Sequence, residues 1–274
     1  MPHDVSNKSA KQSTANALNV AVLVSVGQHP LTARARRADQ DARAVEMALT
    51  LENASVSLLH AGQQNSDHEE AIRGYLGMGI NSVGLIEQQP HADVIPALAN
   101  ALRASAPQLV LTGTRAETGE ASGVTPYLLA EALGWPIITG LAAVEKVEQG
   151  VITVLQALPR GKRRRLRIRL PALATVDSSA PAARQSAFGP ARRGELAHQK
   201  AASELDEALS TWQFQPARKR PKRLKIVKSS SARDRFKAAA AKSGGGGGQT
   251  LNDVTPEQGA EAIFKLLKEE GVLR

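Results

Sequence analysis

The chain has 274 residues, a formal net charge of +9 and a hydrophobic fraction of 42%, enough for one generous domain with an extension and no need of disulfide or metal staples. It contains no cysteine, which excludes disulfides, thiolate metal sites, iron–sulfur clusters and cysteine nucleophiles. Two Trp, two Tyr and four Phe are too few to build a stacking platform for single-stranded nucleic acid.

The excess charge is local. Residues 160 to 170, RGKRRRLRIRL, hold seven basic groups and no acid, and residues 217 to 228, ARKRPKRLKIVK, hold seven more. Removing those 14 from the total of 35 leaves 21 basic against 26 acidic residues, so a mildly acidic body carries two strongly basic segments.

Residues 1 to 18 are small and polar without apolar period, which predicts a disordered leader and no signal peptide. Nowhere do eighteen apolar residues run together. With the absence of cysteine, this predicts a soluble, cytoplasmic protein that does not insert into membranes.

Order begins at Val20. The run Val20 to Val24 is continuously apolar and β-branched, as suits a parallel strand covered on both faces. Residues 39 to 53 place Ala44, Val45, Ala48 and Leu49 on one helical stripe, with Asp39 and Asp41 at the positive end of the helix dipole. The alternation continues: strand 56–59, helix 68–78, strand 82–87, helix 92–104, strand 109–112, helix 125–133. It predicts an α/β protein with a doubly wound, mostly parallel sheet of the adenine-nucleotide-binding, Rossmann-like kind.

From about Ile137 the texture becomes hairpins, with strands 138–147, 151–157 and 165–170 forming a β-hairpin extension. Arg165, Arg167 and Arg169 alternate with Leu166, Ile168 and Leu170, so three guanidinium groups share one strand face. After Val176 order is expected to decline. The α/β domain is bounded at 19–200, followed by a basic and Gly-rich arm over 201–250 with five consecutive glycines. A final helix in 251–274 opens with Thr255 as N-cap and Pro256 in the first helical position. Its stripe of Ala260, Ile263, Phe264 and Leu267 requires a covering surface on this chain or another, a partner subunit being the favoured one.

The stretch 109–130 is the most informative. Leu-Val-Leu-Thr is followed by Gly113 and a loop of Gly, Thr, Ala and Ser up to Gly123, then a helix. Small residues where a parallel strand meets a helix leave backbone N–H groups free for a phosphate, although neither a Walker loop nor GxGxxG is present; a phosphate loop and a plain connection both fit. His29, His60, His68, His91 and His198 lack metal-ligand spacing, and no nucleophile or acid/base pair stands out, so neither a metal site nor a catalytic residue is predicted. The basic windows suit a subunit or acidic-partner contact, or simple solvation, better than nucleic acid, because no nucleic-acid module accompanies them.

These residues resemble the β subunit of electron-transfer flavoproteins. Gly113-Thr-Arg-Ala116 leading to Leu133-Gly134-Trp135-Pro136 resembles that family's loop and following helix end. Asp41 to Ala48, Met78 to Val83 and Leu170 to Asp177 resemble three further family segments in matching order. The resemblance implies a non-catalytic subunit that pairs with an α subunit carrying most of the FAD, accepts electrons from flavin dehydrogenases and passes them to a quinone oxidoreductase. It also implies a structural AMP near Val26, Asp41, Ala61, Gly62, Gly113, Ala116, Glu120, Ser122, Gly123, Val124 and Thr125. A docking loop after Asp177 would meet dehydrogenases of the acyl-CoA or dimethylglycine and sarcosine type, through Pro181, Arg184 and the apolar anchor Phe188. Ile263, Phe264 and Leu267 would dock on the α subunit. The alternatives are a stand-alone nucleotide-binding regulatory module, with basic segments for an acidic partner or nucleic acid, and a bifurcating relative with a second FAD in place of AMP.

Overall fold

The computed structural model describes residues 17–213, 215, 231–233 and 251–269. Residues up to Thr211 form one unit and those from Trp212 a second. Most of the expected leader, the basic window 217–228 and the glycine run lie outside the described residues.

The first unit is built on one nine-stranded sheet. In chain order its elements are β1 (Leu18–Leu23), the small hairpin β2 (Val26–Gln28) and β3 (Ala35–Arg37), α1 (Asp39–Leu49), β4 (Ala54–Gly62), α2 (Ser66–Leu76) and β5 (Ser82–Glu87). Then follow β6 (Ala92–Asp93), α3 (Val94–Ser105), β7 (Leu109–Gly113), α4 (Thr125–Leu133), β8 (Ile137–Glu148), β9 (Val151–Ala157), β10 (Arg163–Arg169), β11 (Ala172–Val176), α5 (Phe188–Arg193), β12 (Glu195–Lys200) and β13 (Glu204–Leu205). The sheet order is β10-β9-β8-β11-β7-β1-β4-β5-β12, parallel from β8 to β12 and antiparallel through the β8-β9-β10 meander.

The winding reverses at β1. After β5 the chain crosses to the opposite flank, so β1 pairs with β4 on one side and β7 on the other, Val20 lying between Val56 and Leu109. Strand ends diverge at such a reversal and leave a crevice at their carboxyl ends.

Helices cover both faces. Val20, Val22, Leu58, Leu109 and Leu111 pack toward α1 and α2 with Val45, Ile72 and Leu76, while Ala21, Leu23 and Val110 face Leu98, Leu102 and Leu129 of α3 and α4. Burial on both faces explains the unbroken apolar runs of β1 and β7.

Two expectations change. The segment 172–176, which no periodicity marked as a strand, is a fully buried one inserted between β7 and β8. Five small and β-branched residues are too short for a pattern, and only sheet pairing defines them. Order also persists beyond Val176, through α5 and the edge strand β12. Arg73 on α2 donates to the carbonyls of Ala191, Arg192 and Gly194 there, and Gly77 lies so close that a Cβ would stand 1.9 Å from Ser186 Oγ. The second unit contains the expected helix, Pro256–Glu269, in which Thr255 and Gln258 exchange side-chain to backbone hydrogen bonds as a capping box. Its expected end at Gly271 lies outside the described residues.

Tyr75 is fully buried; its hydroxyl donates to the Ser25 carbonyl and accepts from the Ala38 N–H, both at 2.8 Å. Tyr75→Phe should therefore cost about 1–3 kcal/mol of stability, because it leaves two buried backbone groups without a partner. Urea unfolding midpoints at unchanged slope would measure it; an unaltered midpoint would contradict the bond's contribution.

Candidate functional site

The site is the crevice between the carboxyl ends of β1 and β7. Asp41, in the first turn of α1, turns its carboxylate inward and is buried there. Oδ2 accepts from the Ser25 N–H at 2.8 Å and the Ser25 hydroxyl at 2.5 Å, and Oδ1 accepts from the Gly113 N–H at 2.9 Å. One side chain thus ties the ends of both strands to the start of a helix. A Cβ on Gly113 would stand 2.3 Å from Oδ1, which is why glycine occupies this position. Burial pushes the Asp41 pKa up to about 6 against the opposing pull of the Ser25 and Gly113 hydrogen bonds.

The loop from Gly113 to Val124 divides in two. In its first half Thr114 donates its N–H and hydroxyl to Gln40 Oε1, and Thr118 donates to the Val26 carbonyl at 2.9 Å. Glu117 accepts the Asp39 N–H at 2.8 Å and the Gln28 N–H at 3.0 Å, and pairs with Arg36 at 2.9 Å. Its carboxylate therefore occupies the positive end of α1. In the second half Glu120, Ser122, Val124 and Thr125 are exposed. Gly119, Ala121 and Gly123 have positive φ, and α4 has no side-chain cap. At the helix start the Val124 N–H donates to Ser122 Oγ at 3.3 Å, and the turns before it have the backbone shape of loops that hold anions.

β4 supplies the third wall. Ala61 and Gly62 lie half-buried at its carboxyl end, beside the buried ring of His60. Burial pushes the His60 pKa down, so the ring is neutral, and its Nδ1 faces the Val24 carbonyl at 2.8 Å. A carbonyl can only accept, so Nδ1 carries the proton and Nε2 is a bare acceptor. Among the described residues Nε2 is buried without a partner, and a Cβ added to Gly62 would meet this imidazole at 3.1 Å.

The structure brings Val26, Asp41, Ala61, Gly62, Gly113 and the loop to one end of the sheet. Asp41 and Gly113 bond each other there, Val26 is buried, and Ala116 is half-buried in the occupied half of the loop. Ser25, Gln40, His60, Tyr75 and Glu117 escaped sequence reasoning. For Tyr75 and His60 the available signal was a polar atom on an otherwise inward-facing apolar position. A cleft of about 240 Å³ opens beside the β2–β3 hairpin, lined by Val26, Gln28, Asn65, His68 and Thr118 among others.

The expected docking residues lie elsewhere. Phe188 is 78% exposed at the start of α5, and Pro181 is exposed. Arg184 forms a two-pronged ion pair with Glu46 at 2.7 and 2.9 Å, which holds the Glu46 carboxyl below its ordinary pKa. Ile263 and Phe264 are 61% and 58% exposed, and Leu267 is half-buried.

Sheet order and crevice together define a doubly wound α/β protein with its site at the topological switch point. The electron transfer flavoprotein domain matches residues 32–207. The electron transfer flavoprotein subunit beta of Chromohalobacter salexigens is 66% identical over 260 residues, covering 94% of this chain and 97% of its own. The chain belongs to the electron transfer flavoprotein β-subunit family. Family membership makes it a subunit of a flavin-associated electron carrier and implies an α-subunit partner. Among the described residues no helix is long and apolar enough to cross a membrane, and no cluster of His, Asp and Glu is placed to hold a metal.

Asp41 yields a pH test. Its carboxyl binds protons more tightly folded than unfolded, so its contribution to stability is greatest below about pH 4 and is lost as pH rises toward 6. From the two pKa values, the stability advantage of wild type over Asp41→Asn should shrink by about 2 kcal/mol between pH 4 and 7. Parallel urea titrations across that range would detect this; a constant difference would refute it.

Proposed function

We propose that this chain is the nucleotide-holding half of an FAD-containing αβ heterodimer, taking electrons from flavin dehydrogenases and releasing them to a quinone oxidoreductase from the cytoplasm. FAD, held mainly by the α subunit, supplies the redox chemistry when bound. This chain's own residues bind, position and dock, and none acts as a catalyst.

The observation that carries the nucleotide assignment is the orphaned Nε2 of His60 beside Gly62. It lies at the same end of the sheet as the second half of the loop. A buried acceptor without a donor is costly and calls for one; an adenine amine or a ribose hydroxyl provides it. Glu120, Ser122, Gly123, Val124 and Thr125 then surround the phosphate of AMP, using backbone donors at the start of α4. Asp41 and Glu117 hold the crevice in shape from behind, since their oxygens are already occupied.

Co-expression with the α subunit tests this directly through chromatography of heat-released ligands. One FAD and one AMP per heterodimer are expected. Two FAD would replace the AMP reading with the bifurcating one, and an empty, unpaired chain would support a stand-alone module.

Docking follows from the brace under α5. Arg73, Arg184 and Gly77 fix the segment that presents Phe188 to solvent. An exposed aromatic on a rigid mount is the usual form of an interface anchor. Phe188→Ala should slow reduction of the bound flavin by an acyl-CoA or dimethylglycine dehydrogenase about tenfold, with flavin content unchanged. Equal rates with both donors would remove Phe188 from the docking surface.

A further inference from the structure

Strand β10 forms one edge of the sheet, and the crevice and the braced α5 account for none of its charge. Arg163, Arg165, Arg167 and Arg169 all point to one face and are exposed, while Leu166 and Ile168 turn to the core. At strand spacing the row runs about 20 Å, with neighbouring guanidinium groups about 7 Å apart. Arg165 is paired with Glu145 at 2.6 and 2.9 Å, and Arg163 lies near enough to Asp177 to add to the Ser179 hydrogen bonds that hold that carboxyl below its ordinary pKa. Arg163, Arg167 and Arg169 have no carboxylate within ion-pair distance among the described residues, and Arg160 and Lys162 extend the charge through the preceding turn.

The same face has a second component. Cross-strand neighbours of the four arginines are Ala157, Leu155, Thr153 and Val151 on β9, each half-buried. None of the four belongs to either apolar core cluster. The surface is therefore a mixed one, guanidinium groups beside small patches of aliphatic side chain, the composition that protein interfaces favour. An anionic membrane would call for an amphipathic helix or an apolar wedge, and nucleic acid for stacking aromatics, and β10 and its turn offer neither. Two copies of the chain pairing edge to edge would set arginine against arginine. The face is more charged than a permanent subunit contact, which is more apolar.

We propose that the arginine face of β9 and β10 is an electrostatic docking surface for an acidic redox partner that binds transiently. The proposal rests on the electron-carrier reading and adds a second contact, on the far edge of the sheet from β12, beside the one at Phe188. A row of fixed positive charge raises the encounter rate with an acidic face and does so most at low ionic strength.

The test uses the intact αβ heterodimer with Arg163→Gln, Arg167→Gln and Arg169→Gln combined, leaving the Arg165 to Glu145 pair in place. Stopped-flow reduction by a medium-chain acyl-CoA dehydrogenase and a dimethylglycine dehydrogenase, and oxidation by a solubilised quinone oxidoreductase, are followed from low to high salt. With at least one of these three, the second-order rate should fall about tenfold at low salt and converge with wild type at high salt, where screening removes the advantage. Rates equal to wild type with all three partners at every salt concentration would overturn the proposal and leave the arginines as protection of a sheet edge. Failure of the variant to retain the α subunit would overturn it in favour of a permanent contact. Binding of wild type, but not the variant, to phosphatidylglycerol vesicles with unaltered protein partner rates would overturn it in favour of a membrane. A wild-type heterodimer that no dehydrogenase reduces would instead refute the electron-carrier reading itself.

Discussion

The Asp41 carboxylate is the constraint on which the crevice depends. Two parallel strands that diverge at a winding reversal have no ladder bonds to hold their ends, and the backbone N–H groups there would otherwise face a gap. Asp41 accepts from both ends at once, from Ser25 after β1 and from Gly113 at the end of β7, while anchored in the first turn of α1. Tyr75 adds a bond from α2 to the same segment. The carboxylate keeps its place despite the cost of burial because three donors converge on it.

That arrangement divides the labour along the loop after β7. Gly113 to Thr118 bond inward to Asp41, Gln40, Val26 and, through Glu117, the start of α1. Gly119 to Thr125 contains the left-handed turns and the uncapped helix start. A rigid first half lets the second half hold a fixed shape while its backbone stays available to a ligand. His60 flanks it from β4 with a buried acceptor that has no hydrogen-bond partner among the described residues.

Three exposed surfaces differ in physical kind. The helix Pro256–Glu269 offers an apolar stripe suited to a lasting contact, Phe188 a single aromatic on a braced segment, and β10 a row of charge. Apolar area gives permanence and charge gives encounter rate.

The sheet class, the order of the main-sheet strands and their helices up to α4, the hairpin extension and the capped C-terminal helix were legible in the sequence, whereas the β2–β3 hairpin and the short β6 were not. Each rests on local periodicity, such as the apolar run of Val20 to Val24, the alternation of Arg165 with Leu166, or the Thr255-Pro256 start. The family was legible because several short segments keep their order and spacing. What periodicity could not show was decided by contacts between distant residues. Strand β11 exists because β7 and β8 leave a slot for Ala172 to Val176, and α5 is ordered because Arg73 and Gly77 receive it. Asp41 read as a dipole-complementing residue at a helix start, yet the tertiary structure turned it inward to Ser25 and Gly113, 16 and 72 positions away. Sequence determines where a carboxylate lies along its helix; only the packing of the helix against two strand ends decides which donors it meets.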